Sequence, residues 1–245
     1  HHLIDIVDPD EPFDAARYAA LAREQVRAQH REGRVPLVVG GTGLYIKALL
    51  HGLFGSEAGD PAVRRRLAAE AAAAGIASLH ARLAACDPQT AARLHPNDTA
   101  RVLRALEVFE VTGRPISAFH RTHRFAEDPF EALLIGLDVA RERLYERIDR
   151  RVEAMLAAGF EEEVRGLLER GYGPELKPMQ SIGYSHLCAM LAGRVDREEA
   201  VRTLKRDTRR FAKRQLTWFR ATPGIIWLPP DAAGEIQRRC RAFLS

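Results

Sequence analysis

Cysteine is scarce in this 245-residue chain, and long apolar runs are missing from it. The three cysteines, Cys86, Cys188 and Cys240, are an odd number at wide spacing with no C-x-x-C pair. This argues against a disulfide framework and against a zinc site. No apolar stretch approaches the roughly 20 residues that a helix needs to cross a bilayer, and the opening residues lack the features of a signal peptide. We therefore expect a globular protein of a reducing cytoplasm, without a membrane segment.

The net charge is only +4, so any affinity for a polyanion must come from local clusters of basic residues. The densest cluster is KRDTRRFAKRQLTWFR at residues 205–220. On a helical period, Leu204, Phe211 and Trp218 form an apolar stripe that is predicted to pack inward. A second stripe is basic and consists of Arg202, Arg206, Arg209, Lys213 and Arg220. The pattern indicates a phosphate-facing helix, with a merely solvated basic face as the alternative.

Four apolar runs predict β-strands, at residues 3–7, 36–39, 133–139 and 225–228. The second run is short, continuous and bounded by glycine, as in a strand buried on both faces of a parallel sheet. A helical pattern at 13–30 precedes it, so the order is strand, helix, strand. The core is therefore predicted to be α/β.

A helical segment is predicted to interrupt this core, because residues 60 to about 122 are rich in alanine and contain no strand-like run. Asp60 and Asp87 each stand before a proline, which places an N-cap acceptor next to a favourable first helical residue. Asn97 and Asp98 are further candidate caps. We expect a helical insertion domain at 56–125 between α/β parts at 1–55 and 126–245, the last of which ends in basic helices.

Residues 38–50 predict a strand, a glycine-rich turn and a helix. Gly40, Gly41 and Gly43 allow a ligand to approach the backbone closely, and the start of a helix favours an anion. The same glycines would also suit a tight turn without a ligand. The turn is not a Walker A loop, because the dipeptide Gly-Lys occurs nowhere in the chain.

Three further groups have the chemistry to meet phosphates or bases. Arginines at 141, 143, 147, 150 and 151 follow the strand at 133–139, where one of them could hold a phosphate. The alternative is that most of them form i,i+4 pairs with neighbouring glutamates. His95-Pro-Asn-Asp98 precedes Arg101 and Arg104, and MQSIGYSH at 179–186 offers amide and aromatic groups that could read a base. Both segments are also typical of the N-terminus of an ordinary helix.

Six segments, in order, resemble the bacterial tRNA dimethylallyltransferases, also called tRNA isopentenyl transferases. They are HHLIDIVDP at 1–9, VVGGTGLYIKALL at 38–50, LHPND with RVLRALEV at 94–108, RRVEAMLAAGF at 150–160, QSIGYSHL at 180–187 and KRQLTWFR at 213–220. The resemblance covers nearly the whole chain. It implies a P-loop-NTPase-like parallel sheet core, flanked by helices and carrying an all-helical insertion domain.

The resemblance also implies the reaction, which is transfer of a dimethylallyl group from dimethylallyl diphosphate to N6 of the adenosine 3′ of the tRNA anticodon, position 37. Mg2+ and basic side chains would stabilise the departing diphosphate. The target base would have to leave its stack to reach a pocket. The implied partners are tRNA and dimethylallyl diphosphate, and we expect a monomer in the cytoplasm.

The site residues that the resemblance implies fall into two groups. Gly40, Gly41, Thr42 and Tyr45 would line the reaction channel near the donor, and Arg151 would hold the diphosphate. The residues implied to contact tRNA are Arg101, Arg104, Gln180, Ser181, Gly183, Tyr184, His186, Lys213, Arg214, Gln215, Trp218 and Arg220. Ala100 departs from the Gln that many family members carry.

The phosphate-binding loop of the family and its general-base Asp precede the His-His-Leu-Ile-Asp segment, and neither is found in this sequence. We therefore expect a truncated form of the enzyme, in which these 245 residues alone transfer poorly or not at all.

Three other interpretations stay open. An adenylate isopentenyltransferase acting on a free nucleotide should lack the helical insertion and the basic helix at 213–220. A non-catalytic tRNA-binding module would bind RNA without turnover. A small-molecule phosphotransferase on a P-loop core fits least, since Gly-Lys is absent.

Overall fold

The computed structural model describes residues 1–52, 59–123 and 130–245. Two compact units divide the chain. The core unit comprises His1–Asp14, Ala28–Gly43 and Glu131–Ser245, and the helical unit comprises Ala15–Arg27 and Leu44–Phe130. The domain boundaries expected from the sequence, at 55/56 and 125/126, lie outside the described residues and stay predictions.

Helices α1 (Ala15–Arg31) and α2 (Gly43–His51) follow the predicted helical patterns closely. Within the helical unit, small residues let them approach, since Ala15, Ala19 and Ala48 form one buried cluster. Arg23 Nε donates to the carbonyl of Leu49 at 2.9 Å. That bond satisfies one of the carbonyls that the last turn of a helix leaves without an intrahelical partner.

The rest of the helical unit consists of α3 (Pro61–Ala74), α4 (Ile76–Cys86), α5 (Pro88–Ala91), α6 (Thr99–Thr112) and α7 (Ile116–His123). Its buried core is built around Leu67, Leu83 and Leu106. The caps predicted at Asp60, Asp87 and Asp98 are confirmed, because each carboxylate accepts a backbone N–H of its helix. Residues 59–123 contain no strand, as the predicted helical texture requires.

The core unit is α/β. Its strands β1 (Ile135–Leu137) and β2 (Ile226–Leu228) pair in parallel, with Ile135 opposite Ile226. The helices of this unit are α8 (Arg141–Ala157), α9 (Phe160–Glu169), α10 (Tyr184–Leu191), α11 (Arg197–Arg220) and α12 (Ala233–Leu244). A short 3-10 turn at Pro178–Gln180 precedes α10. The helices α9 and α10 pack against each other through a buried cluster that includes Phe160, Val164 and Leu187.

Two of the four strand predictions are wrong. Residues 3–7 are irregular, and Leu3 and Asp5 have φ values of 59° and 55°, which no strand accommodates. Residues 36–39 pair with no strand in the described part of the chain, and Leu37 is 88% exposed. An apolar run becomes a strand only where a neighbouring strand pairs with its N–H and C=O groups.

None of the helices in the described ranges is both long and apolar enough to cross a membrane.

Candidate functional site

The glycine turn before α2 lies directly against α11 of the core unit. Gln215 Nε2 donates to the carbonyl oxygen of Gly41 at 2.9 Å. A β-carbon built on Gly41 would lie 2.3 Å from Gln215 Nε2, and one built on Gly43 would lie 2.2 Å from Trp218 Nε1. Neither glycine has a left-handed φ. A β-carbon at Gly43 would collide with the Trp218 ring, whereas one at Gly41 would have to displace the flexible end of the Gln215 side chain. The structure thus brings Gly41 and Gly43 together with Gln215 and Trp218.

The other predicted residues of this turn are placed differently. Gly40 and Thr42 are exposed, and a β-carbon on Gly40 would meet no atom within 4 Å. Tyr45 belongs to α2 in the helical unit, where its ring stacks on Tyr18 with centroids 4.7 Å apart. Burial, and then the neighbouring Tyr45, raise the pKa of Tyr18.

Helix α8 carries an open basic depression of about 500 Å³. Its lining residues are Arg143, Glu146, Arg147, Arg150, Arg151 and Ala154. Within the described residues, Arg150 pairs with Glu146 at 4.0 Å, whereas no carboxylate pairs with Arg143, Arg147 or Arg151. The idea that most of these arginines form i,i+4 pairs is wrong. Several unpaired guanidinium groups around one depression are suited to holding an anion.

Another side of α8 is joined to α11 by ion pairs. Asp149 accepts from Arg209 at 3.0 Å, and Glu153 accepts from Lys205 at 2.6 Å. No hydrogen bond or ion pair joins Arg151 to the glycine turn among the described residues.

The basic stripe predicted on α11 is mostly neutralised by carboxylates. The pairs are Arg202 with Glu199, Arg206 with Asp207, Arg209 with Asp149, and Arg220 with Asp138. Of that stripe, Lys213 alone has no carboxylate partner in the part of the chain that the structure describes.

The apolar stripe predicted on the same helix is correct only in part. Leu204 is buried, but Phe211 and Trp218 are 40% and 44% exposed. Arg214 lies over the Phe211 ring at 5.7 Å from its centroid. An open depression of about 580 Å³ beside these rings is lined by Arg210, Lys213, Arg214, Thr217, Trp218 and Ala221. The exposure of Phe211 was not predicted from the sequence, because its position on the apolar stripe suggested burial.

In the segment before and within α10, several predicted site residues hold the core unit together. Gly183 is buried with φ of 103°, and a β-carbon there would lie 2.9 Å from the Phe160 ring. The Tyr184 hydroxyl donates to Glu163, and burial together with that hydrogen bond raises the pKa of Tyr184 to about 12. These contacts connect α10 to α9.

His186 connects α10 to α11, because its Nε2 lies 3.3 Å from the carboxylate of Asp207. The neighbouring Arg206, followed by His186, holds the pKa of Asp207 well below its usual range. Gln180 and Ser181 are exposed, and each donates to a nearby backbone carbonyl. Of this segment, these two side chains are the most accessible to a partner.

Arg101 and Arg104, both on α6 of the helical unit, have different surroundings. Arg101 is 71% exposed and pairs with Asp98 at 2.9 Å. Arg104 pairs at 2.8 Å with Glu107, which is 1% exposed and also accepts from Arg64. Burial alone would raise the pKa of Glu107, but Arg104 and Arg64 outweigh it and lower that pKa. Arg104 is thus the counter-ion of a buried carboxylate.

Comparison with known proteins shows the family to which this chain belongs. The family model described as IPP transferase matches residues 1–222. A tRNA dimethylallyltransferase of Desulfosudis oleivorans is 58% identical over 228 residues, which cover 93% of this chain and 73% of that protein.

Two solved structures resemble the chain as well. The full-length tRNA isopentenylpyrophosphate transferase of Bacillus halodurans is 38% identical with a TM-score of 0.70, over 100% of this chain and 78% of that one. A eukaryotic dimethylallyltransferase acting on tRNA is 26% identical with a TM-score of 0.75, over 99% of this chain and 63% of that one. The chain belongs to the IPP transferase family, which confirms the α/β fold class expected from the resemblance.

Proposed function

We propose that this protein transfers the dimethylallyl group of dimethylallyl diphosphate to N6 of adenosine 37 in tRNA. The observation that carries the proposal is the 58% identity to a tRNA dimethylallyltransferase over 93% of the chain. The glycine turn beneath the basic helix α11 supports it, because it places an anion-accepting backbone next to an RNA-suited surface.

In this reaction the bond between the allylic carbon and the diphosphate oxygen breaks, and the diphosphate leaves with the electron pair. The nitrogen N6 forms the new bond to carbon and gives up a proton to a base. The resemblance assigns the role of that base to an Asp that precedes the His-His-Leu-Ile-Asp segment in the family.

The diphosphate would be held by the turn and by α8. The turn offers backbone N–H groups at the start of α2, and Arg151 with its unpaired neighbours Arg143 and Arg147 offers positive charge. Comparison of Arg151→Gln with Arg147→Gln distinguishes which of these arginines holds the diphosphate.

Mg2+ would enter with the diphosphate. No group of three or more His, Cys, Asp or Glu side chains in the described ranges is placed to hold a metal ion. At phosphate sites Mg2+ usually takes most of its ligands from water and phosphate oxygens, so the ion would be held mainly by the diphosphate. The ion would neutralise charge on the leaving group.

The RNA would lie along the exposed face of α11. Arg210, Lys213 and Arg214 line one depression there, next to the exposed rings of Phe211 and Trp218. Proteins recognise unpaired RNA through cations on its phosphates and aromatic rings against its bases. Exposed Arg101, Gln180 and Ser181 would add contacts, whereas Arg104, Gly183, Tyr184 and His186 would act by holding their helices in place.

This surface favours tRNA over a free nucleotide as the acceptor, because a nucleotide has no need of a basic helix beside the turn. Since tRNA is the substrate, we propose that the protein acts in the cytoplasm; a monomer stays a prediction. A non-catalytic RNA-binding protein would leave the tRNA unmodified in the following experiment.

The complete gene that encodes this chain should be expressed in a bacterial host that lacks its own tRNA dimethylallyltransferase. Mass spectrometry of digested tRNA is expected to reveal N6-isopentenyladenosine, which the empty host lacks. Accumulation of the protein without the modified nucleoside would contradict the proposal. Prenylated free adenylate in the same cells would support the nucleotide-directed alternative.

A further inference from the structure

We propose that Gln215 is a positioning residue for the glycine turn and that it orients a backbone N–H toward the diphosphate, instead of reading RNA. The inference deepens the proposed function and rests on it, because it takes the turn to be the diphosphate site. The juxtaposition that carries it joins two segments 174 residues apart, with Gln215 Nε2 2.9 Å from the carbonyl oxygen of Gly41.

The hydrogen bond fixes the orientation of one peptide plane. In a planar trans peptide, the carbonyl of one residue and the N–H of the next point in opposite directions. Because the Gly41 carbonyl points toward α11, the N–H of Thr42 points away from α11. That N–H has no hydrogen-bond partner among the described residues, and Thr42 is exposed. It is therefore available to an anion at the start of α2.

The turn needs this hydrogen bond to fix its peptide plane, because glycine by itself restrains the plane only weakly. Gly41 and Gly43 flank Thr42, and glycine backbones rotate with little steric resistance. Packing replaces that resistance here, since the Gln215 amide lies against Gly41 and the Trp218 ring lies against Gly43. Gln215 and Trp218 together form what we call the turn clamp.

An RNA contact does not account for the position of Gln215. Its amide nitrogen is engaged by Gly41 and the residue is half-buried. Lys213 stands two residues earlier, which is about 200° around the helix. Lys213 is exposed and has no partner among the described residues, so it is the matched RNA-side residue of the same helix.

The test uses the protein from the complete gene, with transfer kinetics and RNA binding measured on the same preparations. Gln215→Leu removes the donor at similar size, and we expect the KM for dimethylallyl diphosphate to rise roughly fivefold to tenfold, as the loss of one hydrogen bond predicts. The Kd for an anticodon stem-loop should stay within about twofold. The control Lys213→Gln should give the reverse pattern, with weaker RNA binding and an unchanged donor KM.

A second pair of variants tests the contact itself. Gly41→Ala should raise the donor KM about as much as Gln215→Leu does where Gln215 is present, because the new β-carbon displaces its amide from the Gly41 carbonyl. In a Gln215→Ala background the same change should have a smaller effect, so the two substitutions are not additive. Additive effects would overturn the proposed contact.

Other results would also overturn the inference. If Gln215→Leu weakens RNA binding and leaves the donor KM unchanged, Gln215 acts on RNA. A lower kcat at unchanged KM, with a lower melting temperature, would indicate a purely structural role. Binding of inorganic diphosphate, measured by calorimetry, tests Gln215→Leu independently of turnover. Wild-type protein that binds diphosphate but never transfers dimethylallyl would contradict the proposed function and not the clamp.

Discussion

Arg104 and Glu107 form an ion pair at 2.8 Å in which the carboxylate is 1% exposed. Arg64 and the backbone N–H of Asp60 bond to the same carboxylate. A buried charge is tolerated only when such partners replace the water that it loses. The pair therefore joins the beginning of α3 to α6 in the helical unit, and removing the charge should weaken that unit.

Glu107→Gln keeps the shape of the side chain but removes its charge. We expect a loss of about 2 kcal/mol in the free energy of unfolding, as for hydrogen bonds to charged groups. Urea denaturation followed by circular dichroism measures it. The control is Glu110→Gln on the same helix, whose more accessible pairs with Arg66 and Arg82 predict a loss of about 0–1 kcal/mol. Equal losses in the two variants would contradict the larger contribution that we assign to the buried carboxylate of Glu107.

The stability of the helical unit should fall in acid. The folded pKa of Glu107 lies below its usual 4.5. Its contribution is thus complete above that usual value and is lost as the pH falls through the folded pKa. Melting temperatures measured from neutral to acid pH should fall less steeply below the usual value in Glu107→Gln than in the wild type. If the melting temperatures of the two proteins fell in parallel, Glu107 would not be the source of the acid sensitivity.

Tyr184 should ionise later than an ordinary tyrosine. Burial and the bond to Glu163 raise its pKa to about 12, so the folded state favours the neutral phenol. The corresponding stability is complete below the usual value of 10 and is lost as the pH rises toward 12. In a spectroscopic titration of tyrosinate, the ionisation step at the highest pH should disappear in Tyr184→Phe and should remain in Tyr172→Phe.

Gly183 should not tolerate a side chain. Gly183→Ala would combine a left-handed φ with a collision against the Phe160 ring, so we expect a loss of about 2–4 kcal/mol. The control Gly193→Ala has φ of 68° and no atom within 4 Å, and should cost only about 1 kcal/mol. Thermal unfolding of both variants compares strain alone with strain plus collision. Similar losses would mean that the Phe160 contact contributes nothing.

Phe211 should contribute to RNA binding. Stacking on a base is worth about 1–3 kcal/mol, so Phe211→Ala should weaken binding of an anticodon stem-loop by roughly tenfold. The fold should lose little, because the ring is 40% exposed. Phe243→Ala is the control, because its ring is similarly exposed, at 36%, but belongs to α12 and not to the basic helix α11. An unchanged Kd for Phe211→Ala would remove this ring from the RNA surface.

Arg151 is expected to serve the donor. In the protein from the complete gene, Arg151→Gln should raise the KM for dimethylallyl diphosphate by at least about tenfold, as for loss of a charge-assisted contact. RNA binding should change less. Arg147→Gln is the comparison, and an equal loss there would refute the choice of Arg151.

The helices could be predicted because their signals are local. The caps at Asp60, Asp87 and Asp98 need only residues two or three positions away, or a proline beside them. The strand predicted at 36–39 failed because pairing depends on a distant partner that no local pattern supplies. The bounds of helix α12 were not predicted, although Ile236, Cys240 and Phe243 recur at helical spacing.

The candidate site shows the same division between local and distant information. The glycine turn at 40–43 and the basic cluster of α11 are visible in the sequence. The bond between Gln215 and Gly41 is not, because nothing local relates residues 174 positions apart. The burial of Glu107 was also missed, since its partner Arg64 is 43 residues away.

The most direct test of the account is transfer of labelled dimethylallyl from its diphosphate to an anticodon stem-loop, using protein from the complete gene. RNA binding should be followed in parallel, with a second stem-loop that carries guanosine at position 37. We expect label on N6 of adenosine 37, none on the guanosine variant, and binding of both RNAs. Binding of both RNAs with no transfer to either would contradict the proposed function.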